Sequence, residues 1–277
     1  MRDYILGLYE KSMPGSYTLE QKLAAGKAAG FDFMEISIDE TDEKMERLNW
    51  SKEERKQLMG TMYKLDIPIT TMCLSGHRKY PFGTLDTQKQ IRSSEVMKKA
   101  VDFACDLGIR IIQIAGYDEY YGESNDKTKE QFFITLNKCV SYAAQKGVVL
   151  AFETMETPFM DTVAKAMVYV TKVNSPYLQV YPDTGNITNA AKLYGSDVLE
   201  DIKIGKGHIV AAHIKETLPG KYREIPYGTG HVDFKGCIKL FRSFGVHIFM
   251  TEFWYDPAFH VDEYLKSANN FIRSKFE

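Results

Sequence analysis

With 277 residues, of which 44% are hydrophobic and 26% charged, the chain has the make-up of a globular enzyme, and disordered and fibrous classes are excluded. A formal net charge of -2 offers no general attraction to nucleic acid or anionic lipid, so any phosphate recognition must be local. The first ten residues are too short and too soon charged for a secretory signal or a membrane span, and they read as a strand.

In chain order, Ile5 to Glu10 is the first strand, and a helix begins at Thr18 and stops at Gly30. Phe33 to Ile38 is the second strand. Ser51 then caps a helix, with Glu54 three residues on as its capping-box partner. Pro68 to Leu74 is the third strand, and a helix from Thr87 to Leu107 ends at Gly108. The fourth strand spans Ile109 to Ala115 and the fifth Val148 to Glu153. Leu178 to Asp183, Ile209 to His213 and Val246 to Glu252 complete the series, with Gly147 and Gly245 as helix C-caps just before strands five and eight. Continuous apolar runs read as buried parallel strands. Eight of them interleaved with helices predict one α/β domain over residues 1–277, a single (β/α)8 TIM barrel. An open doubly wound sheet is disfavoured, because Glu-Lys-Ser-Met-Pro-Gly stands where a glycine-rich phosphate turn belongs. The cysteines Cys73, Cys105, Cys139 and Cys237 lack paired spacing, read as reduced buried thiols and predict a cytoplasmic protein.

Four of the later apolar runs end on residues that ligate metals: Glu153, Asp183, His213 and Glu252. A single carboxylate at a strand end is more often the N-cap of the next helix. Four in series, about one strand-helix unit apart, predict one site at the carboxyl face of the barrel. Three carboxylates and an imidazole suit zinc, manganese, cobalt or magnesium, with zinc and manganese first.

Those four residues, the turn Tyr181-Pro182-Asp183-Thr184-Gly185-Asn186 and the stretch Pro226 to Phe234 resemble the xylose isomerase-like barrels, which include ketose 3-epimerases. Leu8 to Lys11, Met72 to Ser75, Ala115 to Asp118 and Gly207 to Ala211 extend the resemblance over essentially the whole chain. The resemblance implies that Glu153, Asp183, His213 and Glu252 hold one divalent ion and that Glu153 and Glu252 are the acid-base pair. It implies inversion at C3 of a ketopentose 5-phosphate, L-ribulose 5-phosphate to L-xylulose 5-phosphate, by two-base proton transfer through a metal-stabilised cis-enediolate, in pentose or ascorbate catabolism. Asn186 stands where free-ketose epimerases of this family commonly carry a histidine, which turns the expectation toward a phosphorylated substrate.

A phosphate needs donors near the barrel mouth, commonly from the loops after strands seven and eight. Arg223 and Lys215 are the expected contributors there, with His77 and Arg78 further ones beyond strand three. Glu156 is expected either to bind a sugar hydroxyl or to cap the following helix, and Asn186 to line the substrate pocket. Tyr117, Tyr120 and Tyr121 are expected to wall the pocket or pack a loop, Trp254 to shield it from water, and His208 to pack at the far end of strand seven. The expected partner is a small sugar phosphate, with no nucleic acid and no membrane, and the expected assembly is a homodimer. Alternatives are a free-ketose 3-epimerase or an aldose-ketose isomerase of the same family, an endonuclease IV-like phosphodiesterase, and a non-catalytic sugar-binding barrel. Six scattered histidines and the net charge of -2 argue against the phosphodiesterase, which needs a histidine-rich metal cluster and a basic face.

Overall fold

The computed structural model describes residues 2–277. Its strands are β1 (Ile5–Tyr9), β2 (Phe33–Ile38), β3 (Ile69–Leu74), β4 (Ile111–Ala115), β5 (Val149–Glu153), β6 (Leu178–Tyr181), β7 (Ala212–Ile214) and β8 (Ile248–Thr251). They pair in parallel in the order β6-β5-β4-β3-β2-β1-β8-β7. Between β6 and β7 the barrel is drawn together by separate bridges, Val180 with Ile209 and Asp183 with His213. His213 N donates to Pro182 O at 2.9 Å across this seam, and Val180 N to His208 O at 2.8 Å. The regular ladder of β7 therefore begins at Ala212 rather than at Ile209, where the sequence placed its start.

Ten helices stand between and after the strands: α1 (Leu19–Ala28), α2 (Asp42–Glu46), α3 (Lys52–Leu65), α4 (Thr87–Leu107), α5 (Asp126–Gln145), α6 (Val163–Val173), α7 (Thr184–Tyr194), α8 (Val198–Ile204), α9 (Phe234–Ser243) and α10 (Val261–Arg273), counted among the described residues. Ser51 and Glu54 form the expected capping box on α3. Gly147 and Gly245 take φ of +68° and +82° after α5 and α9, a left-handed turn that a residue with a Cβ enters only at a cost. No described helix is long and apolar enough to cross a membrane.

Strand side chains alternate between two destinations, as the two-residue period requires. Leu6, Leu8, Met34, Ile36, Ile112, Leu150 and Phe152 join helix residues such as Phe103, Phe132 and Phe241 in the outer core. Phe33, Cys73, Ile111, Ala151, Tyr181 and Met250 form a second cluster that fills the barrel itself. Gly7 makes room for that filling, since a Cβ there would collide with the Phe33 ring and the Met250 methyl. This packed floor puts the next inward positions, toward the strand ends, at the base of an open mouth.

Candidate active site and metal centre

Glu153 and His213 are two residues beyond the barrel-filling Ala151 and Ala211, and Asp183 and Glu252 stand likewise beyond Tyr181 and Met250. The pleat therefore turns all four inward at one level. One ligand atom from each lies within 4.8 Å of every other. His213 Nδ1 is 2.7 Å from Glu252 Oε2, 3.6 Å from Glu153 Oε1 and 4.0 Å from Asp183 Oδ2. A divalent ion bound at about 2.0–2.4 Å needs donors separated by roughly this much.

Asp183 answers both readings of a strand-end carboxylate. Its Oδ1 accepts from Asn186 N at 2.6 Å and caps α7. Its Oδ2 is buried without a hydrogen bond, and the neighbouring cation, Lys215 Nζ at 3.3 Å, pairs with it through charge alone. A buried carboxylate oxygen left in this state is costly unless a ligand engages it. Glu35, Glu153, Asp183 and Glu252 also surround a single lysine and a single imidazole, an acidic excess that a divalent ion offsets. The residues fit the metal that their types suggest.

Glu35, in the middle of β2, was not among the expected site residues. Its Oε1 lies 2.8 Å from His213 Nε2, and its Oε2 accepts from Thr71 Oγ1 at 2.7 Å and from Tyr181 OH at 3.2 Å. One signal was present in the sequence: a lone carboxylate inside the otherwise apolar run Phe33-Met34-Glu35-Ile36. Fully buried acids of that kind are rare without a partner.

Burial first, and then the charge of Glu252, raise the proton affinity of Glu153. Burial acts the same way on Glu252, but there Lys215 and His213 outweigh it and hold the carboxyl well below the usual range. Burial disfavours a charged His213, yet Glu35 and Glu252 outweigh it and favour the imidazolium. In that form a proton sits on Nδ1, where a metal bond would otherwise form, so binding an ion here releases a proton.

The cluster opens into a cleft whose walls include Tyr9, Lys11, Arg78, Asn186, Arg223 and Trp254. Lys215 is buried on its floor, 3.9 Å from Glu252 Oε2. Asn186 donates through Nδ2 to Thr154 O at 2.7 Å, and its buried Oδ1 has no partner, an acceptor free for a substrate hydroxyl. Glu156 caps no helix, since Thr162 caps α6; it pairs with Arg223 NH2 at 2.6 Å across the cleft. Arg223 lies over the Trp254 ring, 5.5 Å from its centroid. Lys11 is likewise paired, with Asp39 at 2.6 Å.

The expectation for His77 needs correcting. Its ring is buried away from the cleft, 3.3 Å from Ser93 O and edge-on to Phe82, and burial lowers its pKa to about 4. The next residue, Arg78, enters the cleft instead. Arg78 has no carboxylate partner among the described residues, its Nε is buried without a hydrogen bond, and its guanidinium lies over Tyr120. Tyr117 is buried against Tyr120, and its hydroxyl donates to Ser75 O at 3.4 Å, so these two tyrosines pack the loop and back Arg78, whereas Tyr121 is exposed and donates through its hydroxyl to Glu40 Oε1 at 2.8 Å. His208 sits at the start of the β7 segment against Gln179, remote from His213 as expected.

Comparison with known proteins agrees with the barrel. The family described as "Xylose isomerase-like TIM barrel" matches residues 23–275. L-ribulose-5-phosphate 3-epimerase UlaE of Escherichia coli strain K12 is 38% identical over 271 residues, 98% of this chain and 94% of that protein. D-psicose 3-epimerase of Clostridium cellulolyticum H10 superposes with a TM-score of 0.81 at 15% identity, covering 99% of each chain. An L-ribulose 3-epimerase gives 0.76 at 18% identity, over 98% of this chain and 94% of that one. At those identities the two structures speak to the fold alone, whereas the family match and the 38% identity extend over nearly the whole length: the chain belongs to the xylose isomerase-like TIM-barrel family.

Proposed function

We propose that the protein is a metal-dependent 3-epimerase that interconverts L-ribulose 5-phosphate and L-xylulose 5-phosphate. The observation that carries this reading is the pair Glu153 and Glu252, which reach one ligand cluster from β5 and from the end of β8, with β6 and β7 between them. The similarity to an L-ribulose-5-phosphate 3-epimerase supports the substrate.

Inverting C3 of a ketose requires removal of a proton beside a carbonyl and return of a proton from the opposite side. A divalent ion held by Glu153, Asp183, His213 and Glu252, with zinc or manganese ahead of cobalt or magnesium, supplies a Lewis acid for the charge that develops on the ketose oxygens. One glutamate takes the C3 proton and the other delivers its own from behind. Asn186 Oδ1 and Lys215 orient sugar oxygens, and Trp254 keeps bulk water from the carbanion-like carbon. The deciding experiment is incubation of metal-loaded protein with L-ribulose 5-phosphate or L-ribulose in deuterated water. Deuterium at C3 with formation of the C3 epimer supports epimerisation. Deuterium at C2 of an aldose product points to an aldose-ketose isomerase instead.

Arg78 is the stronger anchor for the phosphate, because Arg223 is already neutralised by Glu156. A charge-assisted contact contributes about 1.5–3 kcal/mol, so Arg78→Ala should raise KM for the phosphorylated ketose roughly 10- to 100-fold. KM for the free ketose should change little, and Arg223→Ala should have the smaller effect on both. Equal losses on the two substrates would assign Arg78 to loop structure.

A further inference from the structure

His213 has two ring nitrogens, and they face different surroundings. Nδ1 lies among Glu153, Asp183 and Glu252, whereas Nε2 is 2.8 Å from Glu35 Oε1. A neutral imidazole carries one proton, so its lone pair is available at Nδ1 only when that proton sits on Nε2. Gln113, the amide nearest the ring, has its Nε2 at 3.4 Å from Nδ1 and offers Nε2 of the imidazole nothing.

Glu35 is built for a single orientation. It is wholly inaccessible to solvent, and its Oε2 is held by the Thr71 and Tyr181 hydroxyls at 2.7 and 3.2 Å, which leaves Oε1 to the imidazole. Tyr181 also meets the imidazole edge-on, with ring centroids 4.8 Å apart, so one side chain steadies both members of the pair. We propose that Glu35 is a positioning residue of the metal centre: it holds His213 in the Nε2–H form with Nδ1 aimed at the ion, and Thr71 and Tyr181 hold Glu35. The site then draws on β2 and β3 as well as on the four ligand-bearing segments of the second half of the chain.

The inference rests on the metal-centre reading, and zinc alone is the probe that separates the two. Zinc affinity is measured by competition with a chelating dye, and the His213 nitrogens are read from 15N spectra of the zinc-loaded protein. Wild type should show zinc on Nδ1 and the proton on Nε2. Glu35→Gln, which keeps an acceptor but loses the charge, should weaken zinc binding about 10-fold, and Glu35→Leu about 100-fold, the range seen when such outer partners are removed. The Leu variant should also lose the single Nε2–H signature. A purely structural Glu35 would lower the urea midpoint of the metal-free protein yet leave zinc affinity of both variants within about twofold of wild type, and that result overturns the proposal. Should Glu35→Leu not fold, Glu35→Gln alone decides, on the same criterion. A wild-type protein that binds no zinc overturns the metal-centre reading itself.

Discussion

Glu153→Gln and Glu252→Gln should each abolish net epimerisation in the metal-loaded enzyme, with kcat lower by about 10³-fold or more. Positioned acid-base groups contribute roughly 10²–10⁴-fold apiece, and here each serves a different side of the same carbon. Glutamine keeps the size and one coordinating oxygen while removing the basicity. Each variant should still exchange the C3 proton of one epimer with solvent, because removal and return on a single side need only the surviving base. The other epimer should exchange in the complementary variant. Turnover and deuterium incorporation, followed for both epimers at saturating metal, check this. Near-normal epimerisation by either variant would mean that a single base performs both transfers.

The next largest effect is expected on stability, at a cluster beside the cleft. Glu10 is buried just past β1, and Arg47 grips it at both oxygens, at 2.7 and 2.9 Å. Lys22 adds a contact at 3.1 Å, Lys44 another, and Ser37 N donates to Oε2 at 2.9 Å. Burial raises the proton affinity of this carboxyl, yet Arg47, Lys44 and Lys22 outweigh it and hold Glu10 far below the ordinary carboxylate range. Glu10→Gln would leave three cations crowded together with no counter-charge. Breaking a buried pair in this way costs about 3–5 kcal/mol, and urea denaturation at neutral pH should show a loss of that size. Because the folded-state pKa is depressed, the contribution of Glu10 is complete above its unfolded value near 4.5 and fades as pH falls below it. The variant should accordingly lose less than wild type on acidification below about pH 4.5. A loss under 1 kcal/mol at neutral pH would mean that solvent reaches the cluster after all. Since Glu10 lies between the cleft residues Tyr9 and Lys11, KM is expected to rise along with the loss of stability.

Much of this molecule is legible along the chain because its information is local. Each buried parallel strand is a continuous apolar run, and the capping box at Ser51 and Glu54 and the turn glycines Gly147 and Gly245 mark helix ends within a few residues. Glu153, Asp183, His213 and Glu252 stand out because each closes such a run, where a barrel strand delivers its last inward side chain to the mouth. Strand β7 is shorter than its apolar run, since apolar character does not reveal that the β6–β7 seam is held by single bridges.

What tertiary structure alone decided is pairing at a distance. Glu35 and His213 are 178 positions apart, and only closure of the barrel brings the carboxylate on β2 to the imidazole on β7. Glu10 looks like a strand-end acid of the same kind as Glu153, yet three cations from α1, α2 and the turn after it claim both its oxygens. His77 and Arg78 are adjacent, and the short helical turn at Ser75–Arg78 sends one into the core and the other into the cleft. Arg223 and Glu156 neutralise each other from loops after different strands, while Arg78 enters the cleft with no carboxylate partner among the described residues. The identity of the ligand-type residues is written in the strand pattern, but whether a charged side chain faces solvent, a partner or the substrate depends on what the folded chain brings within about 3 Å of it.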